Sequence, residues 1–165
     1  MVPAPQKFPT GTQRSAARLA SVQALYQMDI AGTDINDILQ EFTLYRFAQS
    51  DDIDSTVEPD AAFFKDLLQG VMRCQTDIDP VVDEQLASGW RLVRINSILR
   101  AILRSALFEL MERKDVPLKV VINEYIDVAH AFFDTDEPRV VNGILHNLGK
   151  RYRPTEITKS SNSDL

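Results

Sequence analysis

ILRAILRSALFELMERKDVPLKVVINEYIDVAHAF, residues 98 to 132, decides the fold. Its first half extends a periodic run over residues 91 to 113, with Leu92, Ile95, Leu99, Ile102, Leu103, Ala106, Leu107 and Leu110 recurring at three- and four-residue steps. That spacing is the signature of one apolar helix face. KDVP then interrupts, because Pro117 biases Val116 away from helical backbone. A second run follows, with Ile122, Tyr125, Ala129 and Phe132 on one face, flanked by Val121 and Val128. Two long helices joined by a short turn leave no strand-like alternation in the most apolar part of the chain.

The same pattern continues outward. Residues 14 to 31 align Ala17, Ala20, Ala24, Leu25 and Met28, and Gly32 ends the run. Residues 34 to 48 align Ile35, Ile38, Leu39, Phe42 and Tyr45. After the acidic loop QSDDIDSTVE, Pro59 opens a third helix carrying Phe64, Leu67, Leu68, Val71 and Met72. A short fourth helix runs to Leu86, with Asp79 as N-cap before Pro80. Pro138 starts a seventh, with Val140, Val141, Ile144, Leu145 and Leu148 inward. The expected fold is an all-α bundle of about seven helices. Residues 13–153 form its single domain, 1–12 a flexible arm and 154–165 a flexible tail.

Three polar groups stand in the decisive stretch: Glu124, Asp127 and His130. At about 100° per residue they fan across about 120° of helix surface, so Glu124 points aside from any ion that Asp127 and His130 could share. Helical metal sites repeat ligands at i and i+3 or i+4 and draw others from a neighbouring helix. His146, the second of two histidines, offers no matching Glu-x-x-His. No glycine-rich phosphate loop is present and neither histidine has the setting of a catalytic base. These residues are expected to be a polar flank, with no catalytic residue, metal or cofactor in the chain. Gly70 and Gly143 lie inside helical patterns, where close helix packing is the expected reason.

Size and composition suit one soluble domain: 165 residues, 44% hydrophobic and 25% charged. The single cysteine, Cys74, fits a reducing cytoplasm, and no stretch has the length of a membrane span or the apolar core of a signal peptide. The net charge is −6, yet it is segregated along the chain. Residues 29 to 66 hold ten acids against two bases, residues 89 to 119 seven bases against three acids, and residues 139 to 153 four bases and no acid. Such a chain can present a basic face to a polyanion, or its bases can complement helix ends and acidic neighbours. Arg14 and Arg18, four residues apart on the first helix with Tyr26 two turns on, form a small basic-aromatic pattern suited to single-stranded RNA.

Four stretches together resemble the NusB family: ARLASVQALYQMD (17–29), FFKDLLQGV (63–71), residues 98–132 quoted above, and VVNGIL (140–145). The resemblance covers roughly residues 14 to 150. It implies seven helices in two sub-bundles, no catalysis, and binding of single-stranded boxA RNA from ribosomal transcripts. It also implies NusE, a small-subunit ribosomal protein, as partner, and assembly with RNA polymerase into an antitermination complex, as a monomer or homodimer. RNA contacts implied by it are Arg14, Arg18, Tyr26, Phe132 and Arg139, and NusE contacts Tyr26, Leu99 and Arg100. Leu99 stands where an acid is usual, Val140 where an aromatic is, and Ser15 and Ala16 where arginines can stand. Two other readings share the fold: an RNA-binding domain like that preceding an RNA cytosine methyltransferase, and a purely protein-binding helical module.

Overall fold

The computed structural model describes residues 12–46, 58–86, 95–134 and 136–162. Among them are seven α-helices: α1 Gln13–Ala31, α2 Ile35–Glu41, α3 Ala61–Gln85, α4 Ser97–Glu112, α5 Leu118–Phe132, α6 Asp136–Tyr152 and α7 Pro154–Asn162. A π-helical turn, Phe42–Arg46, follows α2. The described residues contain no strand.

α4 is the axis. Ile98, Leu99, Ala101, Ile102, Leu103, Ala106, Leu107, Phe108 and Leu110 are all buried, so the helix is apolar around most of its circumference. A helix without a wet side must be enclosed, and α4 packs against α1 and α3 on one flank and α5 and α6 on the other. That arrangement is the two-part bundle implied by the family resemblance. α2 and the π-turn attach to the α1–α3 side through Ile38 and Phe42, and Phe42 stacks on Phe64 with ring centroids 5.4 Å apart.

Local chemistry sets most helix ends. Thr12 caps α1 in a reciprocal capping box with Ser15. Gly32 ends the same helix at φ +66°, a left-handed conformation that glycine adopts without steric cost. Asp34, Asp60 and Asn96 cap α2, α3 and α4 through their side-chain oxygens.

Several expectations shift. The third and fourth helices are one: α3 runs through Pro80 without stopping. An interior proline typically costs about 3 kcal/mol. Here the far half is anchored by the fully buried Ile78 and Val82, and Asp79 is no N-cap but accepts a two-pronged bond from Arg104 at 2.8 Å on each oxygen. α3 starts after Asp60, not at Pro59, and Met72, expected inward, is 44% exposed. α4 begins at Ser97, and Leu92 and the loop residues 47–57 lie outside the described residues. α6 begins at Asp136, two residues before Pro138, and Val140 is only half-buried.

Pro154–Asn162, where composition pointed to a tail, is helical. Its anchor is Arg153, 3% exposed, whose guanidinium donates to the carbonyls of Glu109, Leu110, Arg113 and Val116 at 2.7–3.1 Å. These carbonyls lie at the end of α4 and in the turn beyond it, where helix termini leave acceptors underused; those of Glu109 and Arg113 also accept the backbone N–H groups of Arg113 and Val116. Arg153 also pairs with Glu156 at 2.7 Å, and Glu156 in turn accepts from the Leu118 N–H at 2.6 Å. Pro117 gives α5 no side-chain cap, so the carboxylate of α7 supplies it. One ion pair thereby closes both ends of the α4–α5 turn.

The two helical glycines separate. A β-carbon on Gly70 would lie 2.1 Å from the Phe108 ring, so this glycine lets α3 approach α4. A β-carbon on Gly143 would meet nothing within 4 Å, so close packing does not explain it. Gly70→Ala is therefore expected to lower unfolding free energy in urea by about 1–3 kcal/mol through overpacking. A variant as stable as the parent would show that α3 and α4 do not meet this tightly.

Candidate nucleic-acid interface

The start of α1 should carry the RNA-facing arginines, and the structure divides them. Arg14 and Arg18 do share a face, but that face packs on α3: both guanidiniums lie over the Phe63 ring, at 4.7 and 4.9 Å from its centroid. Arg14 sits at the rim with its side chain 44% exposed, near Asp115 at 3.7 Å and Asp60 at 4.0 Å. Arg18 lies inside, 2% exposed. It cannot reach a phosphate at the surface, and its expected role as an RNA contact is withdrawn.

Arg18 instead forms a two-pronged pair with the fully buried Glu109 of α4, with Nε and Nη2 each 2.9 Å from a carboxylate oxygen. Tyr125 of α5, also fully buried, donates its hydroxyl to the same carboxylate. Glu124 adds a fourth member, 3.7 Å from Arg18 Nη1 and accepting from the Ser15 hydroxyl at 2.8 Å. α1, α4 and α5 thus meet in one ionic cluster, with Phe63 of α3 as its apolar wall. Burial opposes the charge on Arg18, but the hydrogen bond and field of Glu109 more than offset it and raise its pKa. Burial, then the neighbouring Glu109 charge, pushes Tyr125 well above the ordinary phenol range, so it stays a neutral donor.

The decisive stretch is thereby explained. Glu124, expected on a polar flank, is turned toward α1, while Asp127 and His130 are exposed. Among the described residues no group of three or more His, Cys, Asp or Glu could hold a metal ion.

The remaining candidates are scattered. Tyr26 is half-buried against the core, about 18 Å along α1 from Arg14. Phe132 is half-buried at the end of α5, and Arg139 is exposed on the first turns of α6. Leu99 is 1% exposed, so it cannot touch a partner as it stands. Next to it, Arg100 reaches across to Asp29 at the end of α1 and to Ser97. Arg113, which sequence reasoning left aside, also lies over Phe63, at 4.9 Å, and pairs with Asp66 at 2.8 Å and Asp115 at 2.9 Å. That fork holds Asp115 at a pKa of about 2. Only its place in a basic run, beside an acid two residues on, marked it in the sequence. The surface around Arg14 is therefore a lattice of guanidiniums and carboxylates, not an open basic patch.

Comparison with known proteins fits this architecture. The sequence profile of the NusB family matches residues 15–150. Over 145 residues the chain is 52% identical to the transcription antitermination protein NusB of Bradyrhizobium sp. (strain BTAi1 / ATCC BAA-1182), covering 88% of this chain and 86% of that protein. It is 48% identical over 144 residues to its counterpart in Allorhizobium ampelinum, covering 87% and 90%. Thermotoga maritima NusB (T. maritima) superposes with a TM-score of 0.72 at 29% identity, over 93% of this chain and 99% of that one. A chain in the crystal structure of antitermination factors NusB and NusE with double-stranded RNA shares the fold at a TM-score of 0.70, with 22% identity over 85% of this chain and 98% of that one. The fold is thus that of a helical, two-part bundle. The chain belongs to the NusB family.

Arg18→Met is expected to destabilise the fold by about 3–5 kcal/mol, because it strands the Glu109 carboxylate in the core. Arg18→Met combined with Glu109→Leu should recover much of that loss, since a buried pair exchanged for apolar groups is often neutral. Urea unfolding of the single and double variants measures both. Equal losses in the two would mean that charge burial is not what Arg18 resolves.

Proposed function

We propose that this chain is a non-catalytic RNA-binding transcription factor that promotes antitermination. In this reading it binds boxA-type single-stranded RNA in nascent ribosomal transcripts together with NusE, and the pair joins the antitermination complex on RNA polymerase. The observation that carries it is the 52% identity, over 88% of the chain, to a protein named for transcription antitermination. The NusB–NusE complex with RNA that shares the fold supports RNA and NusE as the kinds of partner. No helix among the described residues is long and apolar enough to cross a membrane, in keeping with a role in the cytoplasm.

Electrostatics favour a shared site. Arg14 must leave Asp115 and Asp60 to meet a phosphate, and Arg18 is unavailable. Arg139 is exposed and makes no ion pair among the described residues. Tyr26 and Phe132 are half-buried aromatics proposed to meet the RNA, and Arg100 with Tyr26 is proposed to meet NusE. With about three phosphates neutralised, affinity should fall with salt along a log–log slope near −2 for a single strand. That is a weak grip. A partner that extends the basic surface would supply the rest.

Anisotropy titration of a labelled boxA-type RNA should show markedly tighter binding when NusE is present. Arg14→Ala and Arg139→Ala should each flatten the salt slope by about 0.7. Equal affinity with and without NusE would end the shared-site reading, and unchanged slopes would move the RNA to another surface.

A further inference from the structure

Two acids beside Arg14 are held in place by other bonds. Asp60 Oδ1 caps α3 by accepting from the Phe63 N–H at 3.0 Å, and the Asp60 backbone N–H donates to the Gln13 carbonyl at 3.0 Å. Its Oδ2 is left facing Arg14 Nε at 4.0 Å. Asp115 sits in the turn between α4 and α5, where the Arg113 fork donates to both of its oxygens at 2.9 Å. Arg113 is itself tied down: its Nη1 bonds Asp66 at 2.8 Å, and its carbonyl accepts from Arg153 at 2.7 Å. Asp115 is thus pinned 3.7 Å from Arg14 Nη1, and the fork that pins it holds its pKa at about 2, so it stays charged.

Arg14 is the loose member. Its distances to the two carboxylates, 3.7 and 4.0 Å, are beyond hydrogen-bond reach, and its side chain is 44% exposed. A phosphate can draw Arg14 away, but neither acid can follow it or retreat. At this rim two guanidiniums, Arg14 and Arg113, stand against three carboxylates, Asp60, Asp66 and Asp115. An anion that reaches Arg14 therefore comes well within a Debye length of fixed negative charge.

We infer that Asp60 and Asp115 limit affinity: they form a fixed anionic guard at the start of α1 that weakens the hold of this chain on any phosphate backbone. The inference rests on the RNA-binding reading and adds a repulsive element to it. Such repulsion acts on phosphates and not on base edges, so it lowers affinity for all sequences alike. Without a partner, the chain then stays below the affinity at which bulk RNA would occupy it. Binding waits for further contacts that overcome the guard.

Asp60→Asn and Asp115→Asn remove the charge and keep the shape, and asparagine remains a good N-cap for α3. In anisotropy titrations of the chain without NusE at low ionic strength, each should raise affinity about twofold to fivefold, and the pair about tenfold. The gain should be equal for boxA-type RNA and for a scrambled strand of the same length, and it should fade at high salt as the charges are screened. Loss of a merely structural contact would instead weaken binding at every salt concentration. Urea unfolding checks that the variants are native, and should Asp115→Asn unfold, Asp60→Asn decides alone. If the parent with NusE binds boxA-type RNA while the folded variants bind no tighter than the parent, the guard is refuted and the RNA reading stands. A gain confined to the boxA-type strand also overturns it, because repulsion of phosphates ignores sequence. If the parent with NusE fails to bind at all, the RNA reading fails and this inference fails with it.

Discussion

A charge that must be buried organises this protein. Arg18 and Glu109 lie in the core, and neither is tolerable there alone, since an uncompensated buried ion costs several kcal/mol. Each therefore dictates where its partner stands. The planar fork of Arg18 fixes α1 against α4 to within a hydrogen-bond length, and the Tyr125 hydroxyl adds α5 to the same carboxylate. Apolar packing would let these helices slide by small amounts, because Leu, Ile and Val surfaces accept several registers. Directional bonds to one carboxylate do not. The cluster gives up little stability relative to an apolar core and specifies one arrangement of three helices.

The same logic governs the charges nearer the surface. Along the sequence, acids crowd residues 29–66 and bases crowd 89–119. In space, bases of 89–119 meet acids of α1 and α3: Arg100 with Asp29 and Arg113 with Asp66, both from the acidic stretch, and Arg104 with Asp79 beyond it. These pairs tie α4 and the turn after it to α1 and α3. The arginines of α4 and of the turn after it are thus engaged by carboxylates of α1 and α3, and the basic run creates no basic face on α4.

What the sequence disclosed follows from which interactions are local. Helical periodicity, the Gly32 stop and the break before Pro117 depend on neighbours within a turn or two, and all are present. Continuation of α3 through Pro80 was hidden, because the burial of Ile78 and Val82 that outweighs the proline comes from other helices. α7 was hidden for the same reason: its ordering contacts, Arg153 to α4 and Glu156 to α5, span about 40 residues. Among the candidate contacts, Arg14 and Arg18 look alike in sequence. Only the partner 91 positions away, Glu109, separates a rim cation from a buried one.

Counting guanidiniums by task shows why the proposed RNA site calls for a partner. Arg18 holds the core, Arg153 caps the α4–α5 turn, and Arg100, Arg104 and Arg113 join helices through carboxylates. An arginine engaged by a well-placed carboxylate offers a phosphate little, since the incoming anion must displace a bound one or accept its repulsion. Few cations are therefore left for RNA on a chain of net charge −6. The bundle owes its defined shape to arginines, and that use depletes the groups most suited to a polyanion. The proposed RNA site assembled across two proteins would resolve the conflict: this chain would contribute a rigid, sparsely charged wall, and a basic partner the field.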